Sequence, residues 1–128
     1  FSKDKSIILF NGSMTASRNK SGIGLLIRKQ DTSIILSGDY HYHQVSRDML
    51  PLLNYVHNHY LIIPHHGGNA GNFVYNIGKL PTLKDAIASV GSNPYGHPDK
   101  VNMNNLKIVG FNTVRTDILK RDYVLKVS

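Results

Sequence analysis

The sequence predicts a mixed α/β or α+β domain in which helices cover a sheet. Short apolar runs rich in β-branched residues alternate with helix-like segments through the middle of the chain. Closely spaced apolar runs at both ends predict antiparallel hairpins. A length of 128 residues, of which 41 % are hydrophobic, suits a single domain or part of one.

The strand predictions rest on apolar runs bounded by glycine, asparagine or proline. These runs cover residues 6–12, 22–29, 32–38, 60–64 and 85–91. Only Gln30 and Asp31 separate the second run from the third, so we expect an antiparallel hairpin there. Near the C-terminus, "NTVRT" followed by "DYVLKV" predicts a second hairpin.

Two amphipathic helices are predicted. From residue 44 to about 59, apolar residues recur at steps of three and four, at Val45, Met49, Leu52, Leu53 and Val56. Pro51 either begins this helix or kinks it. The second helix spans residues 99–110, with Asp99 near its start and Gly110 as its C-terminal stop.

The composition points to an anionic partner. A formal charge of +7 and a pI near 9.7 favour nucleic acid or a phosphate ester. Several cations are expected to form a solvated face, or a phosphate-binding rim if they lie on the side of the histidines: Lys3, Lys5, Arg18, Lys20, Arg28 and Lys29. No apolar run is long enough for a membrane helix, so we expect a soluble chain, with the cytoplasm favoured.

Four residues with metal-binding side chains follow predicted strands. Asp39 comes after "LSG", His65 and His66 after "LIIP", and His97 lies in the turn "YGHPD". Alone, each also suits an ordinary turn or a solvated position. Cysteine is absent, so carboxylates and imidazoles remain as transition-metal ligands. Because chemistry gathers in loops at strand ends, we expect these side chains to converge.

The residues around this set support the prediction to different degrees. Gly67 and Gly68 would let the backbone approach an ion or a substrate closely. His41 and His43 have the HxH spacing of a metal motif but lack its remaining residues, so we expect them at the surface or beside the site. His57 and His59 are expected at a helix end, where their positive charge suits the dipole.

Four spaced motifs together resemble the C-terminal half of a metallo-β-lactamase-fold hydrolase. They are "NKSGIGLLI", "SIILSGD", "LIIPHHGG" and "VGSNPYGHP", followed by "TVRTDILKRDYVLKV". The closest pattern is that of ComEC-type DNA-uptake proteins and their soluble relatives, which include phosphorylcholine esterases. The resemblance runs from about residue 19 to the C-terminus and implies an αββα sandwich.

The resemblance also implies roles for single residues. Asp39 would bridge two divalent metal ions, zinc or manganese, and orient the hydroxide that they bind. His65 or His66 would ligate one ion and His97 the other. Substrate-contacting groups are expected at Asn93 and Tyr95, in addition to the glycine pair.

The family's HxHxDH ligand motif has no match anywhere in the sequence. We therefore expect the chain to be the second half of the domain, with the first half lost, cleaved away or carried on another chain. The alternative is a degenerate family member, which the intact Asp39 and histidines disfavour. Alone, the chain should bind metal weakly or not at all and be a poor enzyme. A half-sandwich should also expose an apolar sheet face, which favours dimerisation or association with the missing half.

The function expected from this resemblance is metal-dependent hydrolysis of a phosphodiester by a nuclease or phosphodiesterase. Two alternatives remain open. One is hydrolysis of small phosphate esters, and the other is a nucleic-acid-binding or effector-association module that retains the fold without catalysis.

Overall fold

The computed structural model describes residues 5–11, 23–38, 40–53, 57–68, 70–71, 82–91, 96 and 98–125.

A six-stranded mixed sheet organises the described chain, with its strands in sequence order. The strands are β1 (Lys5–Asn11), β2 (Ile23–Lys29), β3 (Thr32–Leu36), β4 (Asn58–Ile62), β5 (Thr82–Ala88) and β6 (Asn112–Arg115). β1, β2 and β3 pair antiparallel, whereas β3, β4, β5 and β6 run parallel. This sheet, together with the few helices, confirms the broad α/β or α+β class.

The hairpin predicted between the second and third apolar runs is present. Lys29 pairs with Thr32, and Gln30 takes a left-handed conformation at φ 52° in the two-residue turn. Such a turn matches the right-handed twist of the strands that it joins. The five predicted strands all lie close to the observed strands β1 to β5.

One face of the sheet carries the core. Inward side chains of the central strands pack against the helical segment after β3 and against the helix before β6. The residues buried there include Leu26, Ile35, Leu61, Ala86, Val45, Met49, Leu53 and Leu106. The buried polar pair Ser33 and His59 lies on the same face, with 2.7 Å between Ser33 Oγ and His59 Nδ1. That contact gives both polar side chains a hydrogen-bond partner away from water.

The described helical segment after β3 is not the single regular helix that was predicted. It consists of α1 (Tyr42–Gln44), a π-helical turn (Val45–Met49) and a 3₁₀ turn (Leu50–Leu53). The change of helix type falls beside Pro51, which cannot donate a backbone hydrogen bond. Residues 57–59 therefore do not end a helix: His57 precedes β4, and His59 is a buried member of that strand.

The second predicted helix is confirmed as α2 (Lys100–Val109). Asp99 caps its N-terminus, since its side chain accepts a hydrogen bond from Val101 N at 3.0 Å. Gly110 ends it at φ 122°, a conformation that favours glycine.

The predicted C-terminal hairpin is wrong. "NTVR" forms β6, but it pairs parallel with β5 and is followed by the short helix α3 (Thr116–Leu119). Residues 122–125 form no strand. Tyr123 instead donates a hydrogen bond from its hydroxyl to Asp85 on β5, so the segment returns to the sheet through a side chain.

The opposite face of the sheet carries exposed apolar side chains on its first two strands. Ile7 and Leu9 on β1 are 56 % and 64 % exposed, and Ile23 on β2 is 60 % exposed. Ile27 pairs with Ile7, and Leu25 pairs with Leu9, so the apolar residues form a continuous stripe across two strands.

Among the described helices, none combines the length and hydropathy required to cross a bilayer.

Candidate metal and phosphate site

The candidate site lies at the edge of the sheet where the four parallel strands end. Parallel strands place their carboxyl ends at the same edge, and ligands commonly bind there. The turn Pro64–Gly67 follows β4, one of the two central strands of the parallel set. The two adjacent histidines predicted as candidate ligands therefore lie in the middle of this edge.

The backbone of this turn is left-handed at three successive residues. His65 has φ 52°, His66 has φ 54° and Gly67 has φ 89°. Left-handed conformations are unfavourable for residues that have a Cβ atom, and such strain is concentrated at functional sites. Gly68 N closes the turn by donating to His65 O at 2.8 Å.

The exit of β3 holds one side of the turn. His65 N donates to Gly38 O at 3.1 Å. The buried Ser37 hydroxyl donates to Ile62 O, the last residue of β4, at 2.8 Å. These two bonds place Gly38, which precedes Asp39, against the turn Pro64–Gly67, called the histidine turn below.

The entrance to α2 holds the other side. Asp99 N donates to Gly67 O at 2.7 Å, and the side-chain amide of Asn102 donates to Gly68 O at 2.9 Å. Asn102 is only 4 % exposed. Pro98 lies so close to Gly67 that a Cβ atom added to this glycine would come within 2.2 Å of Pro98 Cβ. Gly67 is therefore needed for close contact between two backbone segments.

The His66 ring is oriented by the end of β5. Its Nδ1 atom lies 2.7 Å from Ser89 O. A carbonyl oxygen can only accept, so Nδ1 carries a proton, and in the neutral form of the ring the lone pair is then on Nε2. His66 is exposed. This arrangement, in which a backbone carbonyl fixes the tautomer, is typical of histidines that ligate metal through the other nitrogen.

The His65 ring belongs to a small cluster of histidines. The His41 ring meets it edge-on, with 5.4 Å between the ring centroids. His43 is 5.8 Å from His41. The prediction for these two residues allowed a place at the surface or beside the site, and His41 lies beside it.

Two buried tyrosines follow β3, close to this edge. Tyr42 N donates to Ala70 O at 2.8 Å, which ties α1 to the chain after the glycine pair. Burial raises the pKa of the Tyr42 phenol well above its usual range. Burial and, secondarily, the Asp48 carboxylate raise the pKa of Tyr40. Both phenols therefore stay neutral at physiological pH.

The predicted site residues fall into two groups. His65, His66, Gly67 and Gly68 lie together in the turn just described. Four others lie outside the described residues: Asp39, Asn93, Tyr95 and His97. Within the described part of the chain, no group of three histidine, aspartate or glutamate side chains is placed to hold a metal ion.

The described members of the predicted basic rim do not lie on the histidine side. Lys5 pairs with Lys29, and Arg28 is one residue away, at the sheet edge where β3 and β4 begin. Arg28 donates to Leu52 O at 3.3 Å. These three residues therefore do not meet the condition set for a phosphate-binding rim, whereas Lys3, Arg18 and Lys20 lie outside the described residues.

No protein-family model, curated protein or solved structure matches the chain.

Sequence reasoning missed three contributors to this site. Nothing in the sequence marks Asn102 out from other polar residues of the predicted helix. It lies three residues after the Asp99 cap and bonds to Gly68 O. The contribution of Ser89 comes from its backbone carbonyl, which has no sequence signal. His41 was recognised as part of an HxH pair, but its contact with His65 depends on the path of the chain after β3.

Proposed function

We propose that this chain is the C-terminal half of a metallo-β-lactamase-fold, metal-dependent phosphodiesterase, with a nuclease as the favoured form. The αββα sandwich, the two metal ions and the phosphodiester substrate are all part of this proposal. It rests on the resemblance of the spaced motifs and on the arrangement of the described residues at one edge of the sheet.

The single observation that carries the proposal is that the exit of β3 and the entrance to α2 both meet the histidine turn, which follows β4. Gly38, which precedes Asp39, accepts a hydrogen bond from His65 N. Pro98, which follows His97, lies against Gly67. The sequence neighbours of both further candidate ligands therefore contact the segment that contains His66, as a shared site requires.

The chemistry of the described donors fits a divalent metal. His66 offers the lone pair of Nε2 from a ring whose other nitrogen is held by Ser89 O. Imidazole nitrogen and carboxylate oxygen are both good ligands for zinc and manganese. In this proposal His66, Asp39 and His97 hold the metals, and the remaining ligands come from the HxHxDH half.

Bound divalent ions would supply Lewis-acid activation of a water molecule and of the phosphoryl group. The chain's own residues would perform the positioning. Asp39 would join the two metal positions, and Asn93 and Tyr95 would contact the substrate. Gly67 and Gly68 are buried against the entrance to α2, so their part would be to hold the turn in place. His65, oriented edge-on by His41, would lie beside the ligands.

The exposed apolar stripe on β1 and β2 supports the proposal that the chain is a half-domain. Ile7, Leu9 and Ile23 would be covered by the sheet of the first half, since apolar sheet faces pack against each other in sandwiches. A homodimer would cover the same stripe in the absence of that half.

The experiment is a metal-stimulated cleavage assay on the chain assembled with the HxHxDH segment that we expect upstream of it. Plasmid, single-stranded DNA and bis(p-nitrophenyl) phosphate serve as substrates, with manganese or zinc. We expect cleavage that Asp39→Asn abolishes and that Asp122→Asn, a substitution of an exposed aspartate, leaves intact. Absence of cleavage with either metal would refute the phosphodiesterase.

The net charge of +7 also supports the alternative of a nucleic-acid-binding or effector-association module without catalysis. That module would bind DNA equally well in the presence of a chelator and would tolerate Asp39→Ala. Cleavage of bis(p-nitrophenyl) phosphate without cleavage of either DNA would instead indicate an esterase for small phosphate esters.

A further inference from the structure

A cationic groove lies between α2 on one side and β6 and α3 on the other. Its volume is about 400 Å³. Among the described residues that line it, three carry a positive charge and none is acidic. The lining consists of Pro98, Lys100, Met103, Asn104, Lys107, Thr113, Arg115 and Ile118.

The α2 wall presents one regular face to the groove. Lys100, Met103, Asn104 and Lys107 follow the spacing of successive turns on a single side of a helix. Both lysines are exposed, whereas Met103 is 8 % exposed. The lysines are seven positions apart, which corresponds to about 10 Å along the helix axis, or about three base-pair steps of 3.4 Å along the axis of a duplex.

The opposite wall supplies a third cation. Arg115 ends β6 at the same sheet edge as the histidine turn. The Nε and Nη2 atoms of Arg115 donate hydrogen bonds to the Asp117 carboxylate at 3.1 Å and 2.7 Å. The carboxylate partly neutralises this guanidinium and holds it in place. The two lysines therefore provide most of the positive charge in the groove.

The groove begins at the candidate site and leads away from it. Pro98 lines the groove and also lies against Gly67, and the next residue, Asp99, donates its backbone N–H to Gly67 O. Lys100 starts α2 at this end. α2 then crosses from the carboxyl end of β5 to the start of β6, so Lys107 lies near the far end of the sheet.

We infer that this groove binds the sugar-phosphate backbone of a nucleic-acid strand beyond the phosphate held at the histidine turn. A small ester would occupy the turn alone and make no use of Lys107, which lies about 10 Å farther along α2 than Lys100. Two exposed lysines about 10 Å apart suit a polymeric phosphodiester, which repeats its negative charge along the strand. Ile118, which is 68 % exposed, provides apolar contact for the sugars. The inference rests on the proposed phosphodiesterase function and specifies its substrate as a polynucleotide.

The test is fluorescence anisotropy with a labelled 20-nucleotide single strand and the matching duplex, in the presence of chelator and across a salt series. Lys100→Gln/Lys107→Gln removes the two groove charges. Lys84→Gln/Arg121→Gln is the matched control, because it removes two exposed charges that do not line the groove. All four residues are exposed, and circular dichroism checks that each variant folds.

We expect the slope of log affinity against log salt to be less steep in the groove variant, by about 1.4 for the single strand and by about 1.8 for the duplex. Both values correspond to the loss of two phosphate contacts. For the single strand, this corresponds to about a sevenfold smaller loss of affinity between 50 and 200 mM salt. The control variant should change the slope by less than half as much. Equal effects of the two variants, or no binding by the wild-type chain, would overturn the inference.

This experiment fails separately from the cleavage assay. In one outcome, the domain hydrolyses bis(p-nitrophenyl) phosphate, and the groove variant binds DNA in the same way as the control variant. The proposed hydrolase function would then stand, and the polynucleotide groove would be refuted. A groove that binds DNA in a domain without metal-dependent cleavage would leave the binding result standing and refute the hydrolase.

Discussion

Replacing Gly67 with alanine should damage the contact between the histidine turn and the start of α2. The new Cβ atom would lie 2.2 Å from Pro98 Cβ and 2.9 Å from Pro98 Cα. Both distances are far below van der Waals contact, and one of the opposing atoms belongs to the backbone. The turn must therefore move away from Pro98, which stretches the hydrogen bond from Asp99 N to Gly67 O.

The magnitude follows from two separable costs. A left-handed conformation costs a residue with a Cβ atom about 1–2 kcal/mol. Overpacking adds about 1–3 kcal/mol. Gly71→Ala is the matched control, because Gly71 has φ 82° but a Cβ atom there would meet nothing within 4 Å. Gly71→Ala should have the conformational cost alone. Gly67→Ala should therefore destabilise the fold by about 1–3 kcal/mol more than Gly71→Ala does.

Urea unfolding of the two variants and the wild-type chain measures this difference directly, provided that the slopes are equal. Asp99 lies in the same contact, so amide hydrogen exchange at this residue should accelerate in Gly67→Ala and stay unchanged in Gly71→Ala. Equal destabilisation by the two substitutions would show that Pro98 does not press on the turn, and the reasoning would fail.

Three further predictions concern the same region. Asn102→Leu should lower the free energy of unfolding by about 1–3 kcal/mol, because Gly68 O loses its buried hydrogen-bond donor. In the same denaturation assay, the control Asn104→Leu, on the exposed side of α2, should change the free energy of unfolding little. Burial raises the pKa of the Tyr42 phenol in the folded state, so its contribution to stability is complete below the unfolded pKa of about 10 and is lost as the pH rises above that value. Tyr42→Phe should therefore flatten the fall in the free energy of unfolding measured between pH 9 and 12. An unchanged profile would contradict this assignment. Titration calorimetry of the chain alone with zinc or manganese should show weak binding or none, and two tight sites would contradict the half-domain proposal.

Much of the fold follows from local patterns. The runs "SIILFN" and "TSIIL" predict strands because branched apolar residues suit a pleated, half-buried surface, and Asp99 and Gly110 mark the ends of α2 through their capping chemistry. These signals act over a few residues. The elements that they define were therefore predictable from the sequence.

The failures involve contacts between distant segments. "DYVLKV" alternates like a strand, but Tyr123 bonds to Asp85 across the sheet and the described residues of this segment form no strand. His59 continues the periodicity of the preceding helix, although its burial beside Ser33 places it in β4. In each case a tertiary contact outweighs the local pattern.

The candidate site divides in the same way. The motif "PHHGG" identified the turn because paired histidines before two glycines suit few structural roles. The support for that turn was not predictable. It comes from the carbonyls of Gly38 and Ser89 and from the side chain of Asn102, which lies 34 residues from the glycine that it binds. Backbone acceptors have no sequence signature, and the Asn102 contact requires knowledge of where α2 begins in space.

The most direct test of the account is paramagnetic broadening of amide signals by manganese in an isotope-labelled sample of the chain. Even weak binding at the proposed site should selectively broaden Gly38, His66, Gly68 and Asp99, which meet at the carboxyl ends of the parallel strands. Asp31, in the turn at the opposite end of the sheet, should remain sharp. Broadening centred elsewhere, or confined to only one of the segments around Gly38, His66 and Asp99, would contradict the claim that these strand exits form one metal site.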